Sequence, residues 1–139
     1  MSQENVEIVR GLVEAFNKTG DREAAYALLD PEIEFEVAWR SGRDAADFRI
    51  HRGLDEVRGM IEELLAPFES IRYVIHEYAD AGDDVVAILE FLVQPKGSSA
   101  EISTGRFGYV YTLRDVKIVR IQDFPDPAEA LEAAGLSDG

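Results

Sequence analysis

Apolar residues recur at helical intervals near the start of the chain, at Val6, Val9, Leu12, Val13 and Phe16, and the turn-forming run at 19–21 gives this segment a stop. Asp21 can cap a second, shorter helix, REAAYALL, which must finish before Pro31 because proline disfavours helical geometry in the residue before it. The period then changes to two. Ile33, Phe35, Val37 and Trp39 fall on one side and Glu32, Glu34 and Glu36 on the other, which predicts a strand with one wet face. Residues 40–53, RSGRDAADFRIHRG, follow neither period and read as a loop or a broken strand pair. Helical spacing returns through Leu54, Val57, Met60, Ile61, Leu64 and Leu65 and ends near Pro67.

Four apolar runs follow: IRYVIHEYA, VVAILEFLVQ, ISTGRFGYVYTL and VKIVRIQDF. Their connections are short and rich in turn formers, so the strands are expected to pair antiparallel as a meander. VVAILEFLV is apolar on both faces, which makes it a central strand with both sides covered. One helical layer covers one side; a partner subunit is expected on the other, with a folded-over segment of the same chain as the alternative. Asp126, Pro127 and Glu129 then form a helix start, with Asp as cap and Pro in the first helical position, and Gly135 supplies the end.

A chain of 139 residues suits one domain, residues 1–139, with room for a sizeable core. The absence of cysteine excludes disulfides, thiolate zinc sites and a cysteine nucleophile. A formal net charge of −14 repels phosphate backbones and anionic lipid, so neither nucleic acid nor a membrane surface is an expected partner. No apolar run approaches the roughly 20 residues of a membrane span, and MSQENVEIVRG lacks the pattern of a secretory leader, so the cytoplasm is the expected compartment. Two isolated histidines, His51 and His76, argue against a metal site.

In four stretches the chain resembles the SnoaL-like group of the nuclear transport factor 2-like superfamily, relatives of polyketide cyclases and ketosteroid isomerases. They are ENVEIVRGLVEAFNKTGDREAAYALLDPEIEF, HRGLDEVRGMIEELL, EYADAGDDVVAIL and LRDVKIVRIQDFPDPAEALEAAGL. The resemblance implies an α+β cone in which a curved sheet wraps around a long helix, an apolar pocket inside it, no cofactor, and a homodimer formed through the outer sheet face. One departure is Val116, where relatives often have glycine in an Asp-Gly hairpin. A β-branched residue resists positive φ, so this turn is expected to differ in type or to carry strain.

Inside such a cone, Asp123 becomes the candidate for chemistry. Alternation puts it on one strand face with Val119 and Ile121, opposite the aromatic face Phe107, Tyr109, Tyr111 of the preceding strand. A carboxylate desolvated among aromatics is suited to proton transfer, and a tyrosine hydroxyl can donate to a ligand oxygen, which makes Asp123 and Tyr109 the candidate catalytic pair. The expected ligand walls are Phe16, Trp39, Phe48, His51, Phe107, Tyr111 and Ile121. Arg106 falls on the other face by parity and reads as an ion-pairing residue of the dimer face, unless Gly105 or Gly108 marks a bulge that resets the alternation. The resemblance also sets limits. The position of the isomerases' first-helix tyrosine holds Leu12, their general base falls near Val37, and of the Asp, Arg, Asp arrangement of limonene epoxide hydrolases only Asp123 is matched. The functional expectation is therefore a domain binding an apolar small molecule, with a cofactor-free acid/base enzyme of cyclase or isomerase type as the alternative.

Overall fold

The computed structural model describes residues 2–17, 22–37 and 49–136. Among these, four helices and seven strands follow one another as α1 (Ser2–Asn17), α2 (Arg22–Tyr26), β1 (Leu29–Val37), β2 (Arg49–Arg52), α3 (Leu54–Leu65), β3 (Phe68–Ala81), β4 (Asp84–Pro95), β5 (Ile102–Ser103), β6 (Phe107–Arg114), β7 (Lys117–Phe124) and α4 (Pro127–Ala133). The strands form one sheet in the order β2-β1-β7-β6-β4-β3, with β5 beside β4. The expected meander is β3-β4-β6-β7, each pair antiparallel; β1 then runs parallel to β7 and carries β2 on its other edge. This is the expected NTF2-like cone: α1, α2 and α3 pack on the inner face of the curved sheet, and the core is built from Val9, Leu12, Ile33, Val57, Leu89 and Ile118, all at most 1% exposed.

Bulges bend the sheet and break the alternation read from sequence. In β3, Ile75 pairs with Leu89 and Glu77 with Ile88, so His76 is an extra residue; Ile75 and Tyr78 both pack on the core. In β7, Arg120 pairs with Thr112 and Ile118 with Leu113, which leaves Val119 as the extra residue. Ile118 and Ile121 therefore face the core, and Val119, expected to share the face of Ile121 and Asp123, instead borders an outer hollow beside Glu32, Glu34 and Asp84. An added residue inverts the parity of everything beyond it and sharpens the local bend.

Three further expectations are corrected. Helix α2 ends at Tyr26, not at Leu29, because Leu29 is recruited into β1 opposite Ile118 and is buried in the core. The glutamate side of β1 is not uniformly wet: Glu36 is buried, accepting a hydrogen bond from Gln122 Nε2 at 3.3 Å with Arg120 Nε 3.8 Å away. The outer apolar face of β4 is covered by this chain itself. Val86 and Ile88 pack with Val110 and Phe124 against Ala130 and Leu131 of α4, so that face is no argument for a partner subunit. Residues 49–52, within the irregular stretch, form β2 against β1. The stop at 19–21 and the cap at Asp21 lie outside the described residues.

Helix α4 begins and ends as its sequence dictates. The Asp126 carboxylate accepts from Ala128 N at 2.9 Å, Pro127 follows it, and Gly135 at φ 80° lets Leu136 N donate back to Leu131 O at 2.8 Å. The β6–β7 hairpin departs from its residue preferences. Asp115 and Val116 have φ of 53° and 60°, both left-handed, and Val116 is 57% exposed. The turn thus keeps the type that favours Asp-Gly, and the valine carries strain there. Val116→Gly is expected to stabilise the fold by about 1 kcal/mol, the strain relieved exceeding the entropy glycine adds to the unfolded chain. Urea denaturation checks this, and an unchanged or lower midpoint would contradict it.

Candidate functional site

Among the described residues, little open space is left inside the cone. Leu12 and Phe16 from α1, Val37 from β1, Met60 from α3, and Tyr111 and Ile121 from the sheet help to enclose an apolar cavity of about 40 Å³. That is room for about three waters and too little for an organic ligand. A larger apolar cavity of about 220 Å³ opens at the mouth of the cone, bordered by Phe68, Val93, Phe107 and Pro125 together with Thr104 and Arg106. Leu64, Ile71, Phe91 and Tyr109 border both spaces. Phe91 is the hub of this partition, with ring centroids 4.7 Å from Tyr73, 5.1 Å from Phe107 and 6.3 Å from Tyr109.

Asp123 lies directly across the β6–β7 ladder from Tyr109, on the core-facing side, and is fully buried. It borders neither cavity. The expected carboxylate among aromatics is present, therefore, as a residue of the wall behind Tyr109. Burial, and after it the negative charge of Asp123, pushes the Tyr109 phenol well above its ordinary pKa. Its hydroxyl therefore stays protonated well into the alkaline range.

The other expected ligand residues divide. Phe16, Tyr111 and Ile121 border the inner cavity and Phe107 the mouth, so four core-facing positions converge as alternation and helical spacing require. His51 does not join them. It sits on β2 opposite Phe35, its Nδ1 3.2 Å from Glu56 Oε2, and borders neither space. Trp39 and Phe48 lie outside the described residues. Leu12 and Val37, where the resemblance puts the catalytic groups of isomerases, do border the inner cavity, as aliphatic side chains. Sequence reasoning missed Leu64, Phe68, Ile71 and Phe91 as cavity residues, because their spacing looks the same as that of ordinary core. For Arg106 both readings find support, since its charge reaches Glu90 as an ion-pairing residue's would while the residue also borders the mouth. Gly105 adopts φ 78° and β6 begins only at Phe107, so parity does not extend back to Arg106, which borders the mouth. His76 faces the outer side, where its Nε2 lies 2.6 Å from Glu90 Oε2.

All five tyrosines, Tyr26, Tyr73, Tyr78, Tyr109 and Tyr111, have raised pKa values, with burial as the leading cause in each; Tyr26 is pushed up to about 12. A phenol whose folded pKa exceeds its unfolded value of about 10 contributes stability that is intact below pH 10 and is lost as pH rises beyond it. Phenolate absorbance is expected to stay low past pH 10 and then to rise together with the loss of circular dichroism. Gradual ionisation of a folded protein near pH 10 would contradict this.

Among the described residues, no group of three or more His, Asp or Glu side chains is arranged to hold a metal, and no helix is long and apolar enough to cross a membrane.

The SnoaL-like domain matches residues 9–121 of the chain. No curated protein matches it. Among solved structures, an NTF2-like protein of unknown function from Burkholderia pseudomallei superposes with a TM-score of 0.72 at 21% identity, covering 98% of each chain. TerC, co-crystallised with polyporic acid, gives 0.73 at 19% identity over 95% of this chain and 98% of its own. A protein of ketosteroid isomerase-like fold from Catenulispora acidiphila, in complex with trimethylamine, gives 0.68 at 21% identity over 94% and 93%. At these identities the likeness carries the fold alone.

Proposed function

The chain belongs to the SnoaL-like domain family, and on that footing we propose that it binds an apolar small molecule at the mouth of its cone, without a cofactor. The observation that carries this reading is the 220 Å³ cavity, walled by Leu64, Phe68, Ile71, Phe91, Val93 and Phe107, with Tyr109 also on its border. Apolar walls with few polar groups are the usual make-up of a ligand site. Its size suits a small ring or short chain, and the 40 Å³ beneath offers little depth. The complexes with polyporic acid and with trimethylamine belong to TerC and to the Catenulispora protein; they support the idea that this architecture receives small molecules. A naphthalene-based fluorescent dye is expected to bind once per chain, and Leu64→Arg, at a half-buried position of α3, is expected to weaken that binding at least tenfold while leaving the fold intact. Undiminished binding in the variant would move the site elsewhere.

A second reading is favoured by the Tyr109–Asp123 pair: acid/base chemistry on a cyclisable or isomerisable ketone, with Tyr109 touching the substrate and Asp123 exchanging the proton. Turnover of such a ketone that survives Asp123→Asn at an unchanged melting temperature would exclude it. The homodimer belongs to the same proposal, as does a cytoplasmic location. With Val86 and Ile88 under α4, a second copy would use the outer strip around Leu92 and the His76–Glu90 pair, and sedimentation as a single chain would remove it.

A further inference from the structure

Resting on that reading of the mouth, we infer that its ligand is a monoanion: an apolar, ring-sized body lying among Leu64, Phe68, Phe91 and Phe107, with a carboxylate or equivalent acidic group held at the rim by Arg106. Three observations lead there. Among the described residues bordering the cavity, Arg106 is the one charged side chain, and it stands with Thr104 and Pro125 on the exposed part of that border. Its position is imposed by backbone geometry, since Gly105 at φ 78° redirects the chain immediately before β6. Glu90, a carboxylate that feels the charge of Arg106, is engaged elsewhere: its Oε2 lies 2.6 Å from His76 Nε2 and its Oε1 accepts from Ser103 Oγ at 2.8 Å.

The polarity of the interior fixes the orientation. An acidic group carried inward would lose its hydration among largely apolar walls, which disfavours the charged form. At the rim it meets a guanidinium that offers planar, two-pronged hydrogen bonding to a carboxylate. The net charge of −14 opposes any anion at long range, but at physiological ionic strength that field is screened beyond about 8 Å, so the nearby guanidinium decides. An acceptor oxygen on the inner end of the ligand would find the Tyr109 hydroxyl as its donor.

Titration of the full chain with 3-phenylpropanoate, 3-phenylpropan-1-ol and 3-phenylpropylamine at pH 7, followed by nuclear magnetic resonance, tests this directly. The acid is expected to bind about tenfold more tightly than the alcohol, a charge-assisted contact of ordinary strength. In Arg106→Gln, an exposed substitution, the acid is expected to fall to the affinity of the alcohol while the alcohol is unaffected. Equal binding of acid and alcohol, tightest binding of the amine, or an acid preference that survives Arg106→Gln would each overturn the inference and leave the apolar pocket standing. Failure of all three probes to bind would remove both.

Discussion

Replacing Gly108 by alanine is expected to destabilise the protein by about 3 kcal/mol, the upper range for forcing a methyl group into a packed contact. Gly108 lies on β6, and a Cβ there would stand 2.5 Å from the Ala130 Cβ of α4, with Ile88 Cδ1 at 3.5 Å and the Pro127 backbone at 3.7 Å. No rotamer relieves a clash between two Cβ atoms, so the helix must move away from the sheet. What it would uncover is the outer apolar cluster of Val86, Ile88, Val110 and Phe124. Guanidinium denaturation should register the loss of stability, and hydrogen exchange should report faster opening in α4 than in β4. The partner change Ala130→Gly removes the opposing methyl group, so the double variant should recover much of the loss, less the roughly 1 kcal/mol that glycine costs inside a helix. A Gly108→Ala protein as stable as the parent would mean that α4 is not seated on the sheet as described.

Phe91→Ala is expected to cost about 2–3 kcal/mol, somewhat below the value for a fully enclosed phenylalanine because this ring is only half-buried. Its larger consequence concerns the ligand site. Phe91 borders both the 40 Å³ cavity and the 220 Å³ mouth and stacks edgewise on rings from both sides, so its removal should merge the two into one deeper apolar space. The naphthalene dye should then bind several-fold more tightly in spite of the lower stability, a combination that simple core damage does not produce. Affinity that falls in proportion to stability would show that the two spaces do not join across Phe91.

How far the sequence could be read depended on distance along the chain. Helix α4 was legible to the residue, because Asp126, Pro127 and Gly135 act on backbone groups no more than a few positions away. The meander was legible because its turns are short. The inward set Phe16, Phe107, Tyr111 and Ile121 was legible because each is counted from a nearby, unbroken stretch of its own period. Val119 was misplaced since a bulge depends on what the neighbouring strand demands, here the pairing of Ile118 with Leu113. The same holds for Leu29, which helical propensity would keep in α2 and which β7 draws into the sheet.

The candidate site was less legible than the fold. Asp123 was recognised as an anomaly on an apolar face, and its full burial beside Tyr109 agrees with that; that it borders neither of the two cavities described could not be counted from alternation. Arg106 lies just past Gly105, where the alternation is interrupted, so its face could not be chosen by counting along the strand.

Local rules, the two periodicities, caps, turn residues and the compositional balance, determined the element types, their order, the family plan and the pairing of a carboxylate with a tyrosine across one hairpin. Tertiary structure alone decided that α4 covers the second face of β4, that the described residues leave little space inside the cone while the mouth is open, and that an arginine stands at its rim. The division has a physical origin. Period and capping are set by bonds between near neighbours, whereas free volume is what remains after side chains from distant segments have competed for the same space, a quantity that no single stretch of sequence contains.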